Sequence, residues 1–441
     1  MIPIQVRQEE VGGDLNFEAI CIWAAFGFML DKDTFYKNIF WNKPTNNAWH
    51  YTPGNFSFDE TVDKYASIFE EVIKEQISDK KVILPLSGGL DSRTLAAALS
   101  RIGGKPFTFS YKFQDSFNET KYGFELAKIA GWEFKEYTLS HGYLWNVIDE
   151  LAEINQCYAE FTHPRQMAVV KDVATHGDMF LLGHWGDVLF DDMGLEEGIG
   201  EDELVKIVVK KMLKKGGLEL GKDLWQAFDL KGNFEDHINE RVSQLLGNIK
   251  IDNVNSKVRA FKSMYWATRW TNVNLQIFSK YASIALPYYD ERMCNFVCET
   301  NEEYLKGRKI QIEYLKRYQP AMAKVAWQNT DPLNLFNYQK YSSWYNIPGR
   351  VLRKGERLLN EKVFKKKLIT RNWELQFLGE ENDKKLTEYL FKDSLTSVVP
   401  ENLVEKYYSA FKTENQVYNS HPVSMLLTLS FFLKRHNKLL F

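Results

Sequence analysis

Apolar residues recur at two different periods along the first half of the chain. Between Asp59 and Ile77 they repeat at the spacing of an amphipathic helix. A continuous apolar run, VILPL (82–86), follows, and an alanine-rich segment, SRTLAAAL (92–99), comes after a short polar turn. The pattern therefore predicts a helix, a buried strand and a second helix in direct succession.

The same alternation continues to about residue 182. Three more strand-like runs are FTFSY (107–111), WEFKEYTL (132–139) and MFLL (179–182). The helical patterns between them lie at 119–130, 144–154 and 166–175. Short apolar strands that alternate with helices predict an α/β fold with a doubly wound parallel sheet.

From about residue 200 the patterns become helical, including one long aromatic-rich run from Val258 to Tyr281. The last 110 or so residues are rich in lysine and predict a helical C-terminal extension. We therefore expect three segments. They are an N-terminal segment at 1–60, an α/β domain at 61–330 and the extension at 331–441.

Composition excludes several classes of protein. The 441 residues carry a formal charge of −2, which disfavours a nucleic-acid binder. Apolar stretches are too short to span a membrane, and the first residues lack the apolar core of a signal peptide, so we expect a cytoplasmic protein. The four cysteines lie far apart or at a spacing that predicts neither disulfides nor a zinc site.

The polar turn after the first strand, SGGLDS (87–92), carries the strongest chemical signal. In an open parallel sheet, a loop between a strand and a helix N-terminus is a ready site for an anion. Gly88 and Gly89 permit positive φ and close approach of the backbone to phosphates. Asp91 would repel phosphates unless a divalent cation lay between them. The loop therefore predicts bound phosphates with magnesium.

Three segments carry a resemblance to a known family. VILPLSGGLDSR (82–93) resembles the pyrophosphate loop of the N-type ATP pyrophosphatases, and most closely that of the asparagine synthetase-like family. LLGHWGDVLFDD (181–192) and LPYYDERMCNF (286–296) resemble two further signatures of that family. The resemblance covers roughly residues 60–330 and implies an adenine nucleotide α-hydrolase-like fold.

The resemblance also implies roles for individual residues. Asp91 and Asp187 would hold magnesium, although Asp187 could instead cap a helix. Ser110 would lie beside adenine, and Asp290 would fix its loop or cap the next helix. The ATP phosphates would be bound by the first loop, through Ser87, Gly88, Gly89, Asp91 and Ser92.

Departures from the family pattern leave the catalytic side chains less certain than the phosphate loop. His184 stands where relatives carry an acidic residue, and it could accept the amine's proton or be a plain loop histidine. Lys309 is our first choice for the cation that stabilises the transition state, and Lys324 the second. Arg269 could also serve or could form a structural ion pair. Gln328 lies near the place where relatives carry a lysine.

The implied reaction is ATP-dependent formation of an amide. A substrate carboxylate would be adenylated with release of pyrophosphate, and ammonia or an amine would then displace AMP. Only about 80 residues precede the loop and residue 2 is Ile, so we expect no glutaminase domain, and a separate glutaminase could supply ammonia. The form of the second signature suggests a glycan uronic acid as substrate. Aromatic residues that could stack on a sugar are Trp185, Trp266, Trp270, Tyr288 and Tyr289.

Three other functions remain open from the sequence. Relatives of this kind also close a lactam or macrolactam ring with an internal amine. A non-catalytic scaffold that binds ATP is compatible with His184 and Gln328. Enzymes that modify transfer RNA share SGGxDS, but the neutral charge and the lack of a catalytic cysteine pair disfavour that class.

Overall fold

The structure is a computed structural model that describes residues 13–41, 49–342 and 368–439. Parts of the predicted N-terminal segment and of the predicted C-terminal extension therefore lie outside the described residues.

Five parallel strands form one sheet in the described part of the chain. Their order is β3-β2-β1-β4-β5. This arrangement confirms the predicted doubly wound α/β fold. The strands are β1 (Val82–Pro85), β2 (Phe107–Phe113), β3 (Phe134–Leu139), β4 (Met179–Leu181) and β5 (Ser283–Ala285).

Helices cover both faces of the sheet and make up most of the C-terminal part that the structure describes. They are α1 (Phe17–Phe26), α2 (Phe58–Ile77), α3 (Leu90–Arg101), α4 (Lys121–Ala130), α5 (Tyr143–Asn155), α6 (Val170–Val173), α7 (Gly186–Leu189), α8 (Glu201–Met212), α9 (Gly217–Ala227), α10 (Phe234–Gly247), α11 (Val254–Phe261), α12 (Asn272–Ser279), α13 (Glu291–Cys298), α14 (Glu302–Leu305), α15 (Lys309–Tyr318), α16 (Pro320–Ala323), α17 (Asn372–Phe377), α18 (Glu380–Leu390), α19 (Asp393–Thr396), α20 (Glu401–Thr413) and α21 (Gln416–Leu439).

The sheet reverses its order beside β1, the strand that precedes the SGGLDS loop. Ile83 in β1 is in register with Phe107 of β2 on one side and with Phe180 of β4 on the other. The chain leaves neighbouring strands towards opposite faces at such a point, which opens a crevice at their carboxyl ends. Both predicted signature loops, after β1 and after β4, therefore open into the same crevice.

The predicted long helix from Val258 to Tyr281 is interrupted. Residues Lys262–Thr271 are π-helical and lie between α11 and α12. A π-helical segment adds residues to each turn and is often found at functional sites. Here it leads directly into α12, which packs against β5.

Helix α1, in the predicted N-terminal segment, is buried around most of its surface and packs against α9 and α21. Arg269 donates from Nη2 to the carbonyl oxygen of Asp33 at 2.5 Å, just beyond this helix. The division of the chain into three segments stays a prediction, and these contacts join parts of all three.

All four cysteines are buried and free, as the spacing predicted. Cys21 lies in α1, and Cys294 and Cys298 lie in α13. In the part of the chain that the structure describes, no helix combines the length and apolar character needed to cross a membrane.

Candidate active site

The SGGLDS loop is closed by its two serines. The Oγ atoms of Ser87 and Ser92 lie 2.9 Å apart, and the Ser87 amide donates to Ser92 Oγ at 3.1 Å. Gly89 is the N-cap residue of α3 and has no side chain to satisfy the first amides of this twelve-residue helix. Those amides are free to donate to an anion, and the helix dipole favours negative charge there.

The two glycines serve different purposes, and one expectation about them is corrected. Gly89 has φ −75°, and neither glycine adopts a positive φ. A Cβ on Gly88 would lie 2.7 Å from Gln328 Cβ and 2.8 Å from the Tyr122 ring. A Cβ on Gly89 would meet only Ser87 Oγ, at 3.4 Å. Gly88 is therefore required by packing, whereas Gly89 leaves open space beside the helix N-terminus.

Asp91, at the start of α3, is held by two side chains from the region of α15. Its Oδ1 atom accepts a hydrogen bond from Arg308 Nη2 and another from Gln311 Nε2 at 3.2 Å. Burial raises the pKa of Asp91, and Asp187 raises it further, while Arg308 opposes both. The carboxylate keeps 23% of its surface exposed, so a ligand can still reach it.

The loop after β4 packs directly on Asp91. A Cβ on Gly186 would lie 2.2 Å from Asp91 Oδ1, and a Cβ on Gly183 would lie 3.0 Å from Asp91 Cβ. Between these glycines, Trp185 has φ +77°, an unusual conformation for a bulky residue. The Asp187 side chain is exposed, in the first turn of α7. The two glycines thus let the backbone bring Asp187 beside Asp91.

The chemistry of these two carboxylates fits magnesium shared with phosphates. Mg²⁺ commonly takes one or two carboxylates together with phosphate oxygens and water. A cation beside Asp91 and Asp187 would relieve the burial and mutual repulsion that raise the pKa of Asp91. Among the described residues, no group of three or more His, Cys, Asp or Glu could form an all-protein metal site.

A cavity of about 470 Å³ opens at the carboxyl ends of β1, β2 and β4. Its polar floor is the SGGLDS loop, and its far wall comes from the π-helical segment, α12 and the loop before α6. Among the predicted site residues, the cavity lining includes Ser87, Asp91, Ser92, Ser110, His184 and Gln328.

Side chains outside the predicted set also line this cavity. Arg165 is an exposed cation, and no described residue forms an ion pair with it. Trp270 lines the far wall, and its ring centroid lies 4.4 Å from that of His163. Of the aromatic residues considered for stacking, Tyr288 and Tyr289 are buried in the core, and Trp185 donates to Ser263 Oγ at 3.0 Å.

His184 lies in the cavity wall as an uncharged imidazole. Burial lowers its pKa to about 4, and the nearby Asp187 only partly offsets this effect. Its Nδ1 atom is buried without a hydrogen-bond partner. A neutral ring with an unsatisfied nitrogen can accept a hydrogen bond or a proton from a ligand.

Three predicted cations lie away from the cavity. Lys309 Nζ bonds to Glu303 Oε1 at 2.6 Å on the surface. Lys324 is exposed at the end of α16. The Arg269 guanidinium lies 4.7 Å from the centre of the Trp41 ring, in the core beside α1. The structure does not bring these residues to the phosphate loop.

Arg308, which the sequence reasoning missed, is the cation that contacts Asp91. It precedes Lys309 by one residue and has left-handed backbone angles, φ +62° and ψ +31°. Asp191 supports this turn because its Oδ1 atom accepts from the Gly307 amide at 2.8 Å. Lys309, the predicted cation, lies in the same turn, but which of the two adjacent cations faces Asp91 depends on a backbone conformation that the sequence does not reveal.

Arg93 was not predicted from the sequence either. It is buried, and its guanidinium donates to the carbonyl oxygens of Val325 at 2.9 Å and Ala326 at 2.7 Å. These bonds hold the chain beside Gln328 against the phosphate loop. Asp290 accepts from the Arg292 amide at 3.0 Å, which confirms its predicted role as a helix cap.

Comparison with known proteins places this site in a family. The family model described as Asparagine synthase matches residues 64–304, more than half of the 441 residues. The chain belongs to the asparagine synthase family. The match includes both signature loops, and the family uses ATP, so this asparagine synthase family member is an ATP-using enzyme.

Among solved structures, a similar chain is that of NMN synthetase from Francisella tularensis. It is 14% identical, and the match covers 47% of this chain and 93% of that chain with a TM-score of 0.24. No curated protein matches the sequence.

Proposed function

We propose that this asparagine synthase family member is an ATP-dependent ligase that forms an amide through an acyl-adenylate. The observation that carries this proposal is the meeting of two elements in one cavity. The N-terminus of α3 and Asp91 border the cavity, and Asp187, from the neighbouring strand end, lies close enough to raise the pKa of Asp91. This combination suits a pyrophosphate leaving group better than it suits transfer of a terminal phosphate, because SGGLDS lacks the lysine of the GxxxxGK[ST] loop.

In the first step, a carboxylate oxygen of the substrate attacks the α-phosphorus of ATP. The bond from that phosphorus to the bridging oxygen breaks, and pyrophosphate leaves with the bonding electrons. The amides of α3 and the hydroxyls of Ser87 and Ser92 would bind the pyrophosphate. Magnesium held by Asp91 and Asp187 would neutralise the charge on this leaving group.

In the second step, a nitrogen nucleophile attacks the acyl carbon. The carbon–oxygen bond to AMP breaks, and the nitrogen loses one proton. His184 is our candidate acceptor for that proton, because its ring is neutral and its buried Nδ1 atom has no partner. The products are an amide, AMP and a proton.

The substrate acid that we propose is a uronic acid of a surface glycan. Trp270 offers an aromatic face in the cavity wall, on which a sugar ring can stack. Arg165 offers a cation without an ion-pair partner among the described residues, which can bind the carboxylate before activation. The nitrogen would come from ammonia, an amine or a separate glutaminase.

Product analysis tests the proposed reaction. ATP and a magnesium salt are incubated with the protein, a panel of uronic and amino acids, and ammonia. We expect AMP and pyrophosphate in equal amounts, and only with a matching acid. Asp91→Asn and Asp187→Asn should each lower pyrophosphate release by at least about 100-fold, because each removes charge from the site where the leaving group is neutralised.

Asp187→Asn changes an exposed side chain, so its thermal unfolding should stay close to that of the unaltered protein. Asp91→Asn also removes the charge paired with the largely buried Arg308, so it should unfold at a lower temperature while remaining folded under the assay conditions. Lys324→Ala, on the exposed surface, is the control and should turn over normally. Near-normal turnover by either aspartate variant would refute the two-carboxylate site. ATP binding without turnover on any acid would support the scaffold instead, and ADP with phosphate would exclude adenylation.

A further inference from the structure

The far wall of the cavity contains a second polar atom without a partner. Asn274 lies in α12, is 5% exposed and lines the cavity. Its Nδ2 atom donates to the Trp270 carbonyl oxygen at 2.8 Å. A carbonyl can only accept, so this bond fixes the orientation of the amide and leaves Oδ1 as the unpartnered acceptor.

Asn274 and His184 lie on the same side of the cavity. Phe278 follows Asn274 by one turn of α12, so the two side chains share a face of the helix. The His184 ring packs edge-on against Phe278, with 6.2 Å between the ring centroids. His184 and Asn274 therefore both adjoin Phe278, and we call their unpartnered atoms, His184 Nδ1 and Asn274 Oδ1, the patch.

This patch is uncharged and has hydrogen-bond acceptors. Burial keeps His184 neutral, and the side chain of Asn274 carries no charge. Thr271 also lines the cavity, and its hydroxyl is likewise buried without a hydrogen-bond partner, close enough to Tyr289 to lower the pKa of that phenol against the larger effect of burial. A ligand that binds this patch must donate hydrogen bonds from N–H or O–H groups, and it should not need an oppositely charged partner.

We propose that His184 and Asn274 form the subsite for the nitrogen nucleophile, and that it binds ammonia or a primary amine as the free base. This inference rests on the proposed function. Neutral ammonia donates through its N–H groups to both acceptors and keeps its lone pair for the acyl carbon.

A buried ammonium ion would require a paired carboxylate. The Oδ1 atom of Asp91 is already bonded to Arg308 and Gln311. Two other carboxylates near the cavity, Asp187 and Glu119, are exposed rather than buried with the patch.

Two half-reactions separate this subsite from the acid and ATP sites. Exchange of labelled pyrophosphate into ATP requires the acid but no amine, whereas amide formation requires both. Asn274→Leu should raise the KM for ammonia by about tenfold or more, the effect of losing one well-formed hydrogen bond, and should change exchange by no more than about twofold.

His184→Leu should raise the same KM and also lower kcat, since it removes the proton acceptor. His184→Asn places an amide oxygen near the position of Nδ1 and should restore much of the KM but not kcat. Lys324→Ala, on the exposed surface outside the cavity lining, is the control and should leave the KM for ammonia unchanged.

A measurement on the unaltered protein avoids the risk that Asn274→Leu fails to fold. Ammonia is titrated while the imidazole ¹⁵N resonances are recorded, with His184 assigned by comparison with His184→Asn. We expect the His184 nitrogen resonance to shift on addition of ammonia. No shift at concentrations that saturate amide formation would overturn the subsite.

Other results would also overturn the inference. If Asn274→Leu raised the KM for the acid in the exchange reaction and not the KM for ammonia, the patch would bind substrate hydroxyls. Equal losses in exchange and in amide formation would assign both residues a structural role. An unaltered protein that catalyses no exchange with any acid would refute the proposed function itself, and the subsite with it.

Discussion

At the scale of single residues, two adjacent glycines of the phosphate loop, Gly88 and Gly89, are required for different reasons. Gly88 is enclosed by Gln328 and Tyr122, and Gly89 borders open space. A methyl group added at Gly88 must displace a side chain or the backbone, whereas one added at Gly89 enters the volume that a bound phosphate would use. The same substitution therefore separates packing from ligand binding.

Gly88→Ala should lower the free energy of unfolding by about 1–3 kcal/mol, the usual cost of overpacking. Gly89→Ala should leave stability within about 0.5 kcal/mol but weaken ATP binding by at least about tenfold. Urea denaturation and isothermal titration calorimetry measure the two effects. Equal stability of the two variants would contradict the contacts described for Gly88.

The sequence predicts which residues share the cavity where a side chain follows directly from its strand. Ser87, Asp91 and His184 come within a few residues of β1 or β4, so the parallel sheet places them in one crevice. Arg308 was not predicted, because helical periodicity cannot show that it precedes the helix in a left-handed turn. Asn274 gave no signal, since its position depends on the π-helical segment before it.

At the scale of elements, the connection between α3 and the chain after α16 depends on one buried cation. Arg93 is 0% exposed, and burial lowers the pKa of its guanidinium to about 10, so it remains charged at neutral pH. Its closest partners are the backbone carbonyl groups of Val325 and Ala326. No other described donor forms a hydrogen bond with either of them. The segment that carries Gln328 is thereby fixed to the phosphate loop.

Arg93→Leu should lower the free energy of unfolding by about 2–4 kcal/mol, because two buried carbonyl groups lose a charged donor. Arg93→Lys retains the charge but reaches fewer carbonyls, and it should fall between Leu and the unaltered protein. Hydrogen exchange should quicken at the Leu335 amide, which donates to Ala323 beside this segment. Exchange that quickened equally in α1 would indicate global rather than local loosening.

Four of the strands can be predicted from their own residues, whereas the fifth depends on pairing with its neighbour. The four predicted strands have clear apolar runs, and all four are present. Strand β5, which spans Ser283–Ala285, was not predicted because three residues carry no measurable period. It is a strand because its backbone pairs with β4, where Phe180 is in register with Ile284.

At the scale of the whole molecule, partly buried histidines connect distant parts of the chain. His421 in α21 bonds through Nε2 to the carbonyl oxygen of Ala24 in α1, at 2.9 Å. Burial lowers the pKa of His421 and of His163, and the nearby Glu160 opposes this effect for both. Lys214 disfavours the protonation of both histidines, and Arg165 does so more strongly for His163.

These shifts predict how stability depends on pH. A histidine in the unfolded chain titrates near pH 6.5, above its native pKa, so the unfolded state binds protons first as the pH falls. The free energy of unfolding should therefore decrease from about pH 6.5 towards about pH 4. His184 alone, with its pKa lowered to about 4, can account for as much as about 3 kcal/mol.

Urea denaturation at about pH 7 and about pH 5 measures this change. His421→Gln keeps a side chain that can bond to Ala24 but cannot take up a proton, and it should make the dependence on pH shallower. A free energy of unfolding that is constant between these two pH values would contradict the native burial of the three histidines.

The burial of all four cysteines has a practical consequence for following the opening of this protein. Burial raises the pKa of Cys21 and of Cys294, the latter to about 11, so neither thiol is a nucleophile in the folded chain. Alkylation at either position therefore records a structural opening rather than surface chemistry. Since Cys21 belongs to α1 and Cys294 to α13, mass spectrometry of the labelled peptides distinguishes release of the N-terminal helix from unfolding beside the sheet.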